Sequence, residues 1–274
     1  MPRRVFRYLP SETRAEAVRS PEQALAERGR NERYPAFVPD VPQLVENGGP
    51  TLRFPHVVSI TWDGDPAQSA IESFGERLGW SSFWHEAVGE YGVEGAWSTP
   101  RSHVHLSPLP TTAVPFDQVM QTVHDSVANA ATSGWPAWGP ETIYAVYMPP
   151  DIGVSFDGFD ICTSSVGGWH EDIALDPAVD GGADAGRRLL YAIIFRCPGH
   201  DTQDDATFIA SHELAESATD PYNGWYIDGS KDDPNHWVSD DELADLCEYF
   251  PSVTVDGYPV ARLYSDAAAK AGQD

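Results

Sequence analysis

The sequence predicts an α/β fold, a single domain with a mixed sheet, preceded by a basic N-terminal arm. Two observations support this prediction. Strand-like and helix-like hydrophobic patterns alternate in the order strand, helix, helix, strand, helix, strand, loop, strand, helix. The last strand of that order, residues 189–195, is almost wholly apolar, which is typical of a central strand buried on both faces. The final helix is therefore expected to pack on the sheet.

The first half of the chain supplies two of the predicted strands and three of the helices. Residues 56–62 are rich in β-branched and aromatic side chains and predict the first strand. A helix opens at Asp65-Pro66, where apolar residues begin to recur at helical spacing, and a second helix covers 81–91. Residues 102–107 alternate like a strand, and residues 116–131 have the pattern of an amphipathic helix.

The second half contains the two strongest strand predictions, residues 141–148 and 189–195. Between them, residues 149–188 are dense in glycine and aspartate and predict a long loop region. The last helix is expected to begin near Gln203, where acidic residues suit a first turn, and to stop before Pro221.

Five residues of that helix, His212-Glu-Leu-Ala-Glu216, carry the clearest chemical signal in the sequence. Residues four apart lie on one face of a helix, so His212 and Glu216 can bind one metal ion while Glu213 lies beside it. The pattern is a zinc-hydrolase motif in which glutamate replaces the second histidine. Because a largely buried helix has to find partners for its carboxylates, a divalent cation is expected there. Motif and sheet together predict a zincin-like domain with a metal-binding active-site helix.

A metal held by two residues of one helix needs at least a third protein ligand. Residues 239–248 offer Glu242 and Asp245, whose spacing of three brings both side chains to one helical turn. One of them would bind the metal while the other orients a histidine, and Glu242 is favoured as the ligand. His170 and His236 compete as ligands, and either could instead stabilise a developing oxyanion.

The charge of this ligand set affects the chemistry that it can support. One histidine and two carboxylates cancel the two charges of a divalent ion, so its bound water would be acidified less than at a three-histidine site. Deprotonation of this water then depends more strongly on Glu213 as general base. The predicted cofactor is one catalytic zinc ion. A carboxylate-rich site also suits calcium or manganese, and calcium is a further candidate as a structural ion.

Charge also separates the chain into two parts and limits its partners. The net charge of −25 argues against nucleic acid, and no apolar segment approaches the length of a membrane span. Residues 1–34 hold eight arginines and five glutamates, net +3, whereas residues 35–274 carry −28. We assign residues 1–47 to a basic arm with a proline-rich linker and residues 48–274 to a metallopeptidase-like domain. The arm is either a pro-segment lying across the active-site cleft or a loosely docked tail.

The cysteines and the missing motifs exclude several other classes of protein. Cys162, Cys197 and Cys247 allow one disulfide and leave one thiol, without the Cys-x-x-Cys spacing of a structural zinc cluster. The sequence has no nucleophile elbow, phosphate-binding loop or dinucleotide fingerprint, which argues against serine-hydrolase and nucleotide chemistry. No apolar stretch follows the N-terminal arginines, so a secretory signal peptide is not predicted.

Two weaker patterns have both a functional and a structural interpretation. His103 and His105 lie on one face of a predicted strand and could bind metal, although a hydrogen-bonded pair explains them equally well. The pairs Trp135 and Trp138, and Trp225-Tyr226, could form a sugar- or peptide-binding platform, or they could line the core or a cleft.

Several segments resemble the phosphate-induced (exordium-like) family of plants and its bacterial relatives, some of which are regarded as metallopeptidases. The resembling segments are Gly48–Leu52, Val57–Trp62, Ser82–His85, Gly167–His170, Tyr191–Cys197, Ser211–Pro221, Trp225–Tyr226 and Glu242–Cys247. The family pattern for the last segment resembles Glu-Ile-Gly-Asp-x-Cys, and this chain keeps both acids and the cysteine. The resemblance implies that Glu242 and Asp245 are site residues. It also implies a secreted protein whose cysteines pair across loops.

These features together predict a zinc-dependent endopeptidase acting on a peptide or protein substrate. The predicted zinc ligands are His212, Glu216 and Glu242, with Asp245 as the alternative third ligand. The predicted catalytic residues are Glu213 as general base and His170 or His236 as oxyanion stabiliser. The rival prediction is a non-catalytic extracellular protein that binds glycan or protein and holds a structural ion. The protein is expected to be secreted if the family resemblance holds and a signal has been removed, and cytoplasmic otherwise.

Overall fold

The computed structural model describes residues 6–7, 43–150, 152–156, 159–163, 166–175, 187–227, 242–247 and 250–271. Most of the basic arm and His236 lie outside these residues, so the expectations for them stay predictions. Within the described part of the chain, no helix is both long and apolar enough to cross a membrane.

Strands and helices alternate along the described part of the chain. The strands are β1 (Phe6–Arg7), β2 (Val45–Glu46), β3 (His56–Trp62), β4 (His103–Leu106), β5 (Val114–Pro115), β6 (Thr142–Tyr147), β7 (Val154–Phe156), β8 (Phe159–Asp160), β9 (Val166–Ala174), β10 (Arg188–Ile194), β11 (Trp225–Tyr226), β12 (Val253–Val255) and β13 (Tyr258–Val260). The α-helices are α1 (Gln68–Leu78), α2 (Ser82–Val88), α3 (Phe116–Ala128), α4 (Ala130–Ser133), α5 (Gln203–Thr219) and α6 (Asp266–Ala271). Short 3₁₀ turns span Gly89–Tyr91, Pro100–Ser102, Ile161–Thr163 and Asp245–Cys247.

The main sheet of the described chain is mixed and has the strand order β1-β9-β10-β6-β3-β4. Strands β10, β6, β3 and β4 run parallel to one another, whereas β9 runs antiparallel to β10. The two-residue strand β1 of the basic arm pairs antiparallel with the other side of β9. In the register of β9 and β10, His170 lies opposite Ala192. The predicted α/β class with a mixed sheet is therefore confirmed.

Helices cover both faces of the sheet, and consecutive residues of a strand belong to different cores. Along β3, Val57 packs in the core formed with α1, α2 and α5, whereas Val58 packs in the core formed with α3. In β10, Leu190 packs in the same core as Val57, and Leu189 packs in the same core as Val58. Because both faces of β10 are buried, almost every residue of that strand is apolar, as the sequence predicted.

The predicted elements are largely confirmed, with two corrections. The region 149–188 was expected to be loop, but it contains the short strands β7 and β8 and the nine-residue strand β9. Its two glycines and its charged residues Glu171 and Asp172 give it low strand propensity, and pairing along the whole of β10 overrides that propensity. The helix expected over 116–131 is interrupted at Asn129, which separates α3 from α4.

A buried ion pair joins three elements at the carboxyl ends of the parallel strands. Arg196 follows β10, and its Nε donates to the carbonyl of Met148 after β6 at 2.8 Å. Its Nη1 donates at 3.0 Å to Oδ1 of Asp65, which precedes α1, and its Nη2 contacts the other oxygen of that carboxylate. Both side chains are fully buried, so each charge depends on the other.

We expect Asp65→Asn to lower the free energy of unfolding by about 3–5 kcal/mol, because it leaves the Arg196 guanidinium buried without its counter-charge. The exposed neighbour Asp63 offers a matched control, and Asp63→Asn is expected to change stability by about 0.5 kcal/mol or less. Urea unfolding of the two variants and the wild type measures both effects. Equal midpoints for the two variants would contradict the importance of this pair.

Candidate metal centre

The motif helix α5 has well-defined ends and is buried almost along its whole length. Thr202 and Asp205 form a capping box at its start, with the Asp205 amide donating to Thr202 Oγ1 at 3.2 Å. All residues from 206 to 219 are buried, because β9 and β10 lie on one side of the helix and β13 on another. The predicted start at Gln203 and stop before Pro221 are confirmed. The helix therefore places His212, Glu213 and Glu216 inside the protein.

One group of metal-binding side chains combines α5 with the turn that follows Glu242. His212 Nε2 lies 3.1 Å from Glu216 Oε2 and 3.4 Å from Asp245 Oδ1. These three atoms lie within 4.8 Å of one another. Two ligand atoms about 2.0–2.1 Å from a tetrahedral zinc are roughly 3.3 Å apart, so the two separations fit one ion. A histidine nitrogen and two carboxylate oxygens are also a donor set that zinc accepts.

A second group shares Glu216 and reaches across to strand β9. His170 Nδ1 lies 3.8 Å from Glu216 Oε2, and His170 Nε2 lies 3.6 Å from Glu242 Oε1. One potential ligand atom from each of His170, Glu216 and Glu242 lies within 4.8 Å of the other two, so these residues could also hold an ion. The sequence favoured Glu242 as the partner of His212 and Glu216. The structure instead places Asp245 beside His212 and places Glu242 beside His170.

Backbone amides hold Glu216 in position between the two groups. Its Oε1 accepts hydrogen bonds from the backbone N–H groups of Ala244 and Asp245, both at 3.1 Å. The other oxygen, Oε2, is the one that lies toward both histidines. Glu216 therefore connects the motif helix to the segment 242–247. This contact explains how Asp245, which is distant in the sequence, comes to lie beside His212 and Glu216.

Glu213 lies beside these groups but belongs to neither of them. It is 1% exposed, and its Oε2 lies 3.5 Å from His170 Nδ1. Its Oε1 has no hydrogen-bond partner among the described residues. A β-carbon on Gly168 would come within 2.8 Å of that oxygen and within 2.7 Å of the Ile193 carbonyl oxygen, so only glycine leaves room there. Glu213 is thus a buried carboxylate with an unused acceptor at the edge of the ligand groups.

The surroundings of the clustered groups raise their pKa values, so the metal-free site holds protons more strongly than free side chains do. Burial alone would lower the pKa of His212, but Glu216 and Asp245 outweigh it and raise the pKa well above 6.5. Burial raises the pKa of Glu213 well above 4.5, and the charge of Glu216 adds to the rise. Burial likewise raises the pKa of Glu216, with a contribution from Asp245. A metal ion bound here has to displace these protons.

We expect the stabilising effect of zinc to increase with pH. Because the raised pKa values let the metal-free native state keep protons that the unfolded chain has released, its stability falls as the pH rises above about 4.5. Zinc competes with those same protons and binds better as they leave. The gap in melting temperature between zinc-loaded and metal-free protein should therefore widen from about pH 5 to about pH 8. A constant gap over this range would contradict the protonated cluster.

The remaining predicted residues fall in three places. His236 lies outside the described residues. His103 and His105 both contact Glu72 of α1, with His105 Nε2 2.7 Å from its Oε1, which agrees with the hydrogen-bonded interpretation. Trp225 packs edge-on against Tyr91 in the core.

The cysteines behave as expected, because Cys162 and Cys197 form the one disulfide and Cys247 is the remaining thiol.

Sequence reasoning missed two contributions to the site. The first is Gly168, whose lack of a side chain makes room for Glu213, and the second is the pair of backbone amides at Ala244 and Asp245. The adjacent glycines at 167 and 168 could have suggested a close approach between elements. Every residue except proline has a backbone N–H group, so the sequence does not indicate which of these groups become donors in a site.

No family model, no curated protein and no solved structure matches the chain. The buried histidine, glutamate and aspartate groups could hold a metal ion, and the described residues that would bind it come from β9, α5 and the segment 242–247.

Proposed function

We propose that the protein is a zinc-dependent endopeptidase of zincin-like architecture. The observation that carries this proposal is the position of Glu213, a buried carboxylate beside both ligand groups and a member of neither. A purely structural site gains nothing from a further buried carboxylate, whose burial costs free energy. A hydrolytic site needs such a group as general base. The packing of the motif helix on a mixed sheet agrees with this architecture.

The residues of the site divide into ligands and proton carriers. His212, Glu216 and Asp245 are the best-spaced zinc ligands, and His170 and Glu242 extend the set on the side of β9. When bound, zinc polarises a substrate carbonyl and makes water more acidic.

Glu213 takes the proton of the attacking water and later gives it to the leaving amine. If it does not bind the ion, His170, which lies 3.5 Å from Glu213, orients that carboxylate or stabilises the oxyanion.

A second candidate function also has an observation in its favour. His170, His212, Glu216 and Glu242 are all at least 95% buried, and closed sites of this kind are typical of structural ions. In that case the protein binds a partner without hydrolysing it, and the same side chains stabilise the fold. The Cys162–Cys197 disulfide supports an oxidising, extracellular setting for either function.

The experiment that separates the two functions is a digestion of a mixed-sequence peptide library by zinc-loaded protein. Mass spectrometry identifies internal cleavage, and an identical sample treated with a zinc chelator is the control. Zinc-dependent internal cleavage supports the peptidase. A zinc-containing protein that cleaves nothing in the library leaves only the structural-ion function.

A further inference from the structure

A wide cleft opens at the end of the sheet where the parallel strands begin. Its volume is about 780 Å³, within the range of small-molecule sites. His56, Thr142 and Arg188, the first residues of three adjacent strands, line it. Tyr222, three residues beyond α5, also lines the cleft. The cleft shares no residue with the metal-binding groups.

The aromatic rings of this cleft are held in place before any ligand arrives. The Trp97 side chain is 46% exposed, and its ring stacks on His56 at 3.7 Å with an angle of 3° between the planes. His56 Nε2 lies 2.7 Å from Ser102 Oγ, which anchors the stack. Trp138 is fixed by its Nε1, which donates to the carbonyl of Arg188 at 2.7 Å. Rings that are already ordered lose little freedom on binding a flat apolar surface.

The arginines near the cleft lie over three of its rings, which disfavours the binding of a cationic ligand to those rings. Three of its rings already have an arginine over them, at 5.4–5.9 Å from the ring centre, namely Phe54 with Arg53, Trp138 with Arg187 and Tyr222 with Arg188. Arg53 pairs with Glu94, and Arg188 pairs with Asp172, so the charges of these two arginines are balanced. Burial lowers the pKa of His56 to about 4, which leaves the Trp97 stack uncharged at neutral pH.

We propose that this cleft binds a neutral oligosaccharide. The apolar C–H face of a pyranose ring would stack on the exposed face of Trp97, whose π-electrons make that face negative. The hydroxyls would find an acceptor in Glu141, whose Oε1 accepts one hydrogen bond from the Arg53 amide and whose carboxylate has further lone pairs. The volume of about 780 Å³ leaves room for more than one sugar unit. This binding does not depend on the proposed peptidase activity.

Isothermal titration calorimetry with soluble cello-, xylo-, manno- and chito-oligosaccharides tests the proposal on the full-length, zinc-loaded protein. We expect at least one series to bind, with Trp97→Ala weakening its affinity at least tenfold and Trp97→Phe weakening it about threefold or less. The matched control is Trp80→Ala, because Trp80 is 83% exposed and does not line the cleft. It should leave the affinity unchanged.

A second variant keeps the test valid if Trp97→Ala fails to fold. Glu141→Gln retains an acceptor for the Arg53 amide but loses the charge, and we expect it to weaken saccharide binding several-fold at an unchanged melting temperature. The proposal is overturned if no series binds, or if neither variant alters the binding. It is also overturned if a pool of neutral peptides, and no saccharide, binds in a way that Trp97→Ala abolishes.

Discussion

Glu213→Gln is expected to reduce zinc-dependent peptide hydrolysis by about 10²–10⁴-fold while leaving the zinc content and the melting temperature close to those of the wild type. The amide has nearly the same shape as the carboxylate and cannot take a proton from water. Glu213 belongs to neither ligand group, so its loss should not release the metal. Initial rates on the best peptide of the library, with zinc measured on the same samples, give both quantities.

The control for this variant is Glu86→Gln, which makes the same chemical change at an exposed glutamate of α2. It should retain the wild-type rate. If Glu213→Gln hydrolyses peptide as fast as Glu86→Gln, Glu213 is not the general base. If it loses zinc as well as activity, Glu213 is a ligand and its assigned role is wrong.

Removal of the metal is expected to lower the free energy of unfolding by about 4 kcal/mol when the free zinc concentration before removal is about a thousand times its Kd. For a chain of this size, the melting temperature should fall by roughly 10 °C. The physical reason is that His212 and the carboxylates of Glu213 and Glu216 lie buried together, which is unfavourable for the charged forms unless a cation joins them.

His212→Ala separates this effect from a general effect of the chelator. The variant lacks the histidine of the best-spaced ligand group, so it should unfold like metal-free protein and should not respond to chelator. An equal response of wild type and variant to the chelator would show that the stabilising ion lies somewhere else in the chain.

Local hydrophobic patterns predicted most of the main elements of the fold, and strand β9, which they missed, shows why the rest could not be predicted. Strand β3 and helix α5 match their predicted positions because their hydrophobic periods and end signals are strong. Strand β9 was missed because its sequence, with two glycines and an acidic pair, favours a turn. Its conformation is determined by pairing with β10, an interaction between distant residues that periodicity does not report.

The candidate site was likewise predicted from local spacing only in part. Helical spacing places His212 beside Glu216, and the structure finds the two side chains 3.1 Å apart. Which acid of the pair Glu242 and Asp245 lies near His212 depends on how the segment 242–247 docks on α5. That docking is set by hydrogen bonds from two backbone amides to Glu216, which depend on the fold and not on residue identity. His170 was recognised as a candidate by residue type, but its position required the register of β9.

Zinc-edge X-ray absorption, combined with metal analysis of the purified protein, tests the metal centre most directly. We predict one zinc per chain, coordinated by histidine nitrogen and carboxylate oxygen, with the metal lost in His212→Ala and retained in His85→Ala, a change at an exposed histidine of α2. Protein prepared without chelator and supplied with zinc that nevertheless binds none, or that binds it equally in both variants, would contradict a metal centre on this helix.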